Sequence, residues 1–187
     1  MHKYFRHYAE DEIHLLESLP ECRYANSLCI PFYDEKLSIL NSLEIAAKAS
    51  FKKHQLKTLL ILVINRPAES AISSSNEQAI NELMLYKIRW QEQHCALLDF
   101  SQEIDILLVD RSTNIMIPVK QGVGLARKIA CDCAAWLINQ SIIESSIIYS
   151  SDADVLFPAN YFTYLEYYRQ INTRRSSAYV FSFSHPL

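Results

Sequence analysis

Apolar and polar positions fall into blocks along this chain, and the blocks differ in period. Residues 27–33, 58–64, 104–109 and 146–150 are short apolar runs rich in β-formers, and residues 178–183 repeat the pattern near the end. The runs at 58–64 and 104–109 are almost unbroken in apolar residues. Strands buried on both faces read this way, which predicts a parallel sheet covered by helices. Between the runs the spacing changes to three and four. Leu37, Leu40, Leu43, Ala47 and Phe51 share one helical face, as do Ile80, Leu83, Met84 and Ile88, and again Leu125, Ile129, Cys133, Trp136 and Leu137. An aromatic stretch at 161–168 follows Pro158 and Asn160. Ser73-Ser74-Ser75 predicts a loop before a helix capped near Asn76. A peripheral helix is expected over 11–19, stopped by Pro20. Residues 1–26 then form a helical appendage and residues 27–187 one domain. Alternating strand and helix implies right-handed crossovers, hence a layered α/β fold with a mostly parallel sheet and helices on both faces.

Ligands in such sheets bind at the carboxyl ends of the strands, where strand order reverses. Those ends carry Pro31-Phe32-Tyr33-Asp34-Glu35, Asn65-Arg66-Pro67, Asp110-Arg111 and Ser151-Asp152-Ala153-Asp154. Polar groups are therefore expected to converge on one rim of an apolar scaffold.

Composition narrows the class. The 187 residues are 50% apolar and 21% charged, which excludes disorder. A net charge of -3 provides no basic field for nucleic acid. The apolar runs are far shorter than the roughly 20 residues of a transmembrane helix. The amino terminus shows no signal-peptide pattern, so the chain reads as cytoplasmic. The five cysteines lack zinc-type spacing and read as reduced, packed thiols. The histidines show no metal spacing, and no Gly-x-Ser-x-Gly elbow occurs.

Glycine occurs only twice, at Gly122 and Gly124, directly before an amphipathic stretch. Paired glycines opening a helix suit close approach of an anion to free amides. Arg127 and Lys128 stand where the helix dipole disfavours cations, which a bound anion would explain. The pattern is neither a P-loop nor Gly-x-Gly-x-x-Gly. Asp152 and Asp154 follow an apolar run, and extended backbone would turn both to one side. At a separation of roughly 6 Å they repel by about 3 kcal/mol at an effective dielectric near 20. A divalent cation relieves that repulsion, and Mg²⁺ commonly binds one or two carboxylates together with substrate phosphates. Tyr33 beside Asp34 and Glu35 suits stacking on a base and bonding to a ribose.

Together these segments resemble family-2-type glycosyltransferases of the GT-A fold, over about residues 27–187. The resemblance rests on Pro31, Tyr33, Asp34 and Glu35 after the first strand, on the segment Gly122-Val123-Gly124-Leu125-Ala126-Arg127-Lys128, and on Asp152-Ala153-Asp154 followed by Asn160-Tyr161. It implies a nucleotide-diphosphate sugar donor and a sugar or glycan acceptor. Pro31, Tyr33, Glu35, Asn65, Gly124, Arg127 and Asp152 would bind the donor. Asp152 and Asp154 would hold Mg²⁺ or Mn²⁺ as a Lewis acid at the leaving diphosphate. Asn65 replaces the acidic pair that often contacts the base in that family. The resemblance also implies an acceptor-binding half beyond Leu187, which would carry the general base, so no catalytic residue is assigned. The chain then reads as a donor half.

Two other classes fit parts of the pattern. A haloacid-dehalogenase-like phosphatase also places Asp-x-Asp after a strand, yet the residues after Asp154 contain no Lys, no Asp and only Glu166 as an acid. That leaves its further catalytic groups unfilled. An inactive nucleotide-binding or interaction fragment is the alternative to an active transferase. In it, the aromatic stretch at 161–168 would expose apolar surface and favour self-association.

Overall fold

The computed structural model of the chain describes residues 2–171 and 178–180. Six strands form one sheet: β1 (Tyr24–Phe32), β2 (Lys57–Asn65), β3 (Lys87–Glu92), β4 (Cys95–Asp99), β5 (Ile104–Arg111) and β6 (Ile148–Ser150). Their order is β3-β4-β5-β2-β1-β6. β5, β2, β1 and β6 run parallel, and β3 and β4 form an antiparallel hairpin on the β5 edge. The helices are α1 (His2–His7), α2 (Glu12–Leu15), α3 (Ile39–His54), α4 (Ser74–Leu83), α5 (Gly122–Asn139) and α6 (Tyr161–Ile171). The fold is thus α/β with a mostly parallel sheet flanked by helices.

Side-chain alternation along the central strands feeds two separate cores. Leu28, Ile30 and Phe32 of β1, with Leu60, Leu62 and Ile64 of β2, meet α3, α4 and α6 on one face. Cys29 of β1, with Leu59, Ile61 and Val63 of β2, meets Ala126, Ile129, Ala130, Cys133 and Leu137 of α5 on the other. Each fully buried Leu or Ile contributes about 1.5–3 kcal/mol relative to exposure. Because both faces are covered, β2 and β5 read as continuous apolar runs.

The expected helix through Ile88 is corrected. α4 ends at Leu83, and Ile88 lies in β3. The β3–β4 hairpin carries no glycine or asparagine at its turn. Gln93 takes the left-handed conformation there, with φ 49°. Asp34, Gln55 and Ser141 do the same elsewhere. Gln55 caps α3 in that way, donating its backbone N–H to the Phe51 carbonyl at 2.8 Å. Glycine scarcity therefore hides turns that glycine ordinarily marks. α4 is capped by Ser73, whose side chain accepts from the Asn76 backbone N–H at 3.1 Å. Of the expected fifth strand, Ala178, Tyr179 and Val180 have no regular structure, and 181–183 lie outside the described residues.

At the amino-terminal edge of the sheet, buried Asp105 accepts from Lys57 at 2.7 Å, Arg89 at 2.6 Å and Tyr24 at 2.8 Å. Burial works against the Lys57 charge, but its bonds to Asp105 and Asp99 outweigh that and raise its pKa. The network staples β1, β2, β3 and β5 at the edge opposite the carboxyl ends of the parallel strands. The amino-terminal segment is tied to α5 in turn. Asp132 accepts from the Tyr4 hydroxyl at 2.7 Å, the Glu10 backbone N–H at 2.9 Å and Lys128 at 2.7 Å. Phe5 packs edge-on against Trp136.

Candidate functional site

The sheet order creates one reversal point. From β1 the chain builds outward through β2 to β5, then returns through α5 to place β6 on the other side of β1. The loops leaving the carboxyl ends of β1 and β6 lead to α3 and α6, which pack on the same face of the sheet, and lie side by side at that reversal. A cleft of about 280 Å³ lies there, lined among others by Asp34, Glu35, Lys36, Ser75 and Asp154.

Local structure holds the β1 loop in place. Asn76 is completely buried on α4. Its Oδ1 accepts from the Asp34 backbone N–H at 2.9 Å, and its Nδ2 donates to the Asn65 carbonyl at 2.9 Å. Asn65 Nδ2 donates in turn to the Phe32 carbonyl at 3.0 Å. The ends of β1 and β2 and the start of α4 are thereby joined by side-chain amides. Asp34, in the left-handed conformation with φ 57°, turns the chain into the cleft.

The carboxylates of the cleft act on one another. Burial, then the charges of Asp154 and Asp34, push the Glu35 pKa up. Asp154 of the β6 loop and Glu35 of the β1 loop therefore share a field despite their separation in sequence. Asp152 has a different partner. Strand β6 ends at Ser150 and the chain turns at 153–154, so the extended spacing expected for Asp152 and Asp154 does not extend to them. Asp152 pairs with Arg127 Nη2, while Arg127 Nη1 donates to Ser150 Oγ at 3.1 Å. The ion pair is partly in water, with side-chain exposures of 36% and 59%. Exposed pairs contribute about 0–1 kcal/mol, so a ligand can displace this one cheaply.

The other sequence-predicted residues are distributed as follows. Pro31 is buried in β1, opposite Val63. Tyr33 is exposed just beyond β1. Asn65 is 3% exposed and spends its amide on the backbone. Gly124 is exposed on the first turn of α5, with nothing within 4 Å of where a Cβ would stand. Of the two glycines, Gly122, with φ +41°, is the one whose backbone side chains rarely adopt. Lys128 binds the Tyr8 carbonyl, Glu10 and Asp132, so its placement is explained by the amino-terminal segment rather than by an anion. At the β2 and β5 ends, Asp110 closes its own loop by accepting from Ser112 and Thr113. Arg111 pairs with buried Glu12 at 2.6 Å. The open polar groups are thus those of the β1 and β6 loops. The sequence marks Ser75 and Asn76 as a loop and a helix cap, not as residues of the site. A polar residue at 76, in helical register with Ala79 and Leu83, is the signal that marks Asn76.

Among the described residues, no three His, Cys, Asp or Glu side chains form a group that could hold a metal ion. No described helix is long and apolar enough to cross a membrane. On α6, Tyr161, Phe162 and Leu165 are buried while Tyr164 and Tyr167 are exposed. No family model, curated protein or solved structure matches this chain.

Proposed function

We propose that this domain binds a nucleotide-diphosphate sugar in the crevice between the β1 and β6 loops and belongs to a glycosyltransferase of GT-A type, acting with Mg²⁺ or Mn²⁺. The observation that carries the proposal is the cleft at the sheet's reversal point, which Asp34 and Glu35 of the β1 loop and Asp154 of the β6 loop line together. Asp34, Glu35 and Asp154 line this cleft without forming a closed metal-holding group, and their negative charge favours a cation there. The chemistry of the set fits a hard divalent ion whose remaining ligands are phosphate oxygens and water, which needs no closed cage of protein ligands. Asp154 would hold the ion, with Asp152 beside it once released from Arg127. Arg127 would then be free to meet the diphosphate, and the amides of the first α5 turn, at Gly122 and Gly124, would add to the anion site. Exposed Tyr33 would offer its ring to the base. When bound, the metal supplies Lewis-acid stabilisation of the leaving diphosphate.

Calorimetric titration with UDP and with GDP, each with and without Mn²⁺, tests the proposal. Binding that requires Mn²⁺ and is lost in Asp154→Ala supports it. Binding indifferent to the metal, or no binding of either nucleotide, counts against it.

A further inference from the structure

A second cleft, of about 400 Å³, lies where α4, the β3–β4 hairpin and the end of β5 meet. It shares no lining residue with the crevice between the β1 and β6 loops. Its volume falls within the roughly 300–1,000 Å³ of small-molecule sites. Strand alternation builds its floor. Leu108 and Asp110, two apart on β5, turn to the sheet face that Ile104 and Ile106 also occupy. Ile80 and Met84 of α4, Ala96 of β4 and Ile115 after β5 add an apolar wall. The Met84 thioether lets that wall adapt to an occupant.

Asp110 sets the sign of the site. It is bound internally through one oxygen: Oδ1 takes the Ser112 N–H, the Ser112 hydroxyl and the Thr113 N–H. Oδ2 accepts no hydrogen bond from any described residue, and Asp110 has no ion pair among them. The neighbouring cations are engaged elsewhere. Arg111, next along β5, points to the other face and pairs with Glu12 at 2.6 Å. Arg66 gives its guanidinium to the carbonyls of Ser70, Ser112 and Thr113. Among the described residues that line the cleft there is no lysine or arginine. His94 is there, with its Nε2 bonded to Glu12 at 3.2 Å. The side-chain amides of Gln91, Gln93 and Asn114 can turn to donate or to accept. A carboxylate oxygen can only accept, so it selects an occupant with N–H donors and repels an anion.

We propose that this cleft binds a compact organic cation, an ammonium or amidinium group on an apolar body, with its head on Asp110 Oδ2 and its body against Leu108, Ile80 and Met84. The bond at the head is charge-assisted and runs beside an apolar wall, where such bonds are strongest. The proposal is independent of the donor site.

Benzamidine is the probe, with benzamide and benzoate as neutral and anionic counterparts of similar shape. Each is titrated into the full chain at about pH 8, where an ordinary imidazole is neutral, and followed by backbone amide shifts and calorimetry. Benzamidine should saturate with a dissociation constant of about 1 mM or below. It should shift the amides of Ala96, Leu108, Asp110 and Ile115, and benzoate should not bind. Asp110→Asn keeps a carbonyl oxygen for the Ser112 and Thr113 bonds, so the loop is expected to stand, and benzamidine should weaken about tenfold or more. Ile115→Trp, at a position 39% exposed, should fill the cleft and block benzamidine with Asp110 intact. Asp154→Ala should leave benzamidine binding unchanged, which separates this site from the donor crevice. No saturation by benzamidine, equal binding of benzoate, shifts confined to other surfaces, or full affinity in Asp110→Asn or Ile115→Trp overturns the proposal.

Discussion

Asn76 donates its side-chain amide to the carbonyl of Asn65 at 2.9 Å, and through this bond α4 is fastened to the end of β2. The same side chain accepts the Asp34 N–H at 2.9 Å, so one buried amide positions the loop that carries Asp34 and Glu35. Replacing it leaves two backbone groups without partners. Asn76→Ala is expected to cost about 1–3 kcal/mol, read as a lowered urea midpoint with an unchanged slope. Asn76→Asp retains the acceptor for Asp34 but loses the donor for Asn65, and should also be destabilising. A variant as stable as the parent would show that the clamp is idle.

The Glu35 carboxyl has a testable proton balance. Its folded-state pKa is raised by burial, Asp154 and Asp34. At low pH the carboxyl is protonated in both states. As pH rises past the ordinary carboxylate range, the unfolded chain loses its proton first, so stability falls until the folded-state pKa is passed. Glu35→Gln removes that penalty, and its stability relative to the parent should grow as pH rises above the ordinary glutamate range near about 4.3. The side-chain carbon resonance of Glu35 should titrate above a reference glutamate, and Asp154→Asn should bring it down. A Glu35 that titrates normally, or one indifferent to Asp154, would separate the two loops electrostatically.

Adjacent cations on α5 should behave as opposites. Lys128 holds the amino-terminal segment through Tyr8, Glu10 and Asp132, whereas Arg127 faces Ser150 and Asp152. Lys128→Ala should speed proteolytic cleavage within the first twenty or so residues and leave nucleotide binding unaltered. Arg127→Ala should weaken nucleotide binding while changing stability by about 0.5 kcal/mol or less, because its ion pair is exposed. Exchange of these two phenotypes would contradict the assignment of roles.

The Asp105 network makes a separate prediction about the opposite edge. Asp105→Asn removes the charge that faces Lys57 and Arg89 in a site where the carboxylate is 1% exposed. The loss is expected on the order of 3 kcal/mol, measured by chemical denaturation. Nucleotide binding should survive wherever the variant remains folded, since this edge lies across the sheet from the rim.

The parallel core was legible because its physics is one-dimensional. A strand covered on both faces must be apolar throughout, and β2 and β5 announce that in their own residues. The edge hairpin was not. β3 sits largely in solvent, and its turn places Gln93 where Gly or Asn would be diagnostic. Ile88 matched a helical spacing by coincidence and went with it. At the rim, the residues at the strand ends were visible but not their partners. Nothing local says that Arg111 pairs with Glu12, that Asp110 folds back on its own loop, or that Lys128 serves the amino terminus. Those are tertiary choices, and they divide the rim into a β2–β5 half bound internally and a β1–β6 half left open. Asp152 and Asp154 show the same limit. Their alternation fits a strand, but β6 ends at Ser150, and the turn that follows gives the two carboxylates different neighbours.

The central claim is that a cation and a diphosphate meet between the β1 and β6 loops. Paramagnetic broadening of backbone amide resonances by Mn²⁺, in the presence of UDP or GDP, locates that meeting directly. Loss of the signals of Asp34, Glu35, Ala153 and Asp154, abolished in Asp154→Ala, is the expected result. Broadening elsewhere on the surface with these four signals intact, or no localised broadening with either nucleotide, would contradict the account.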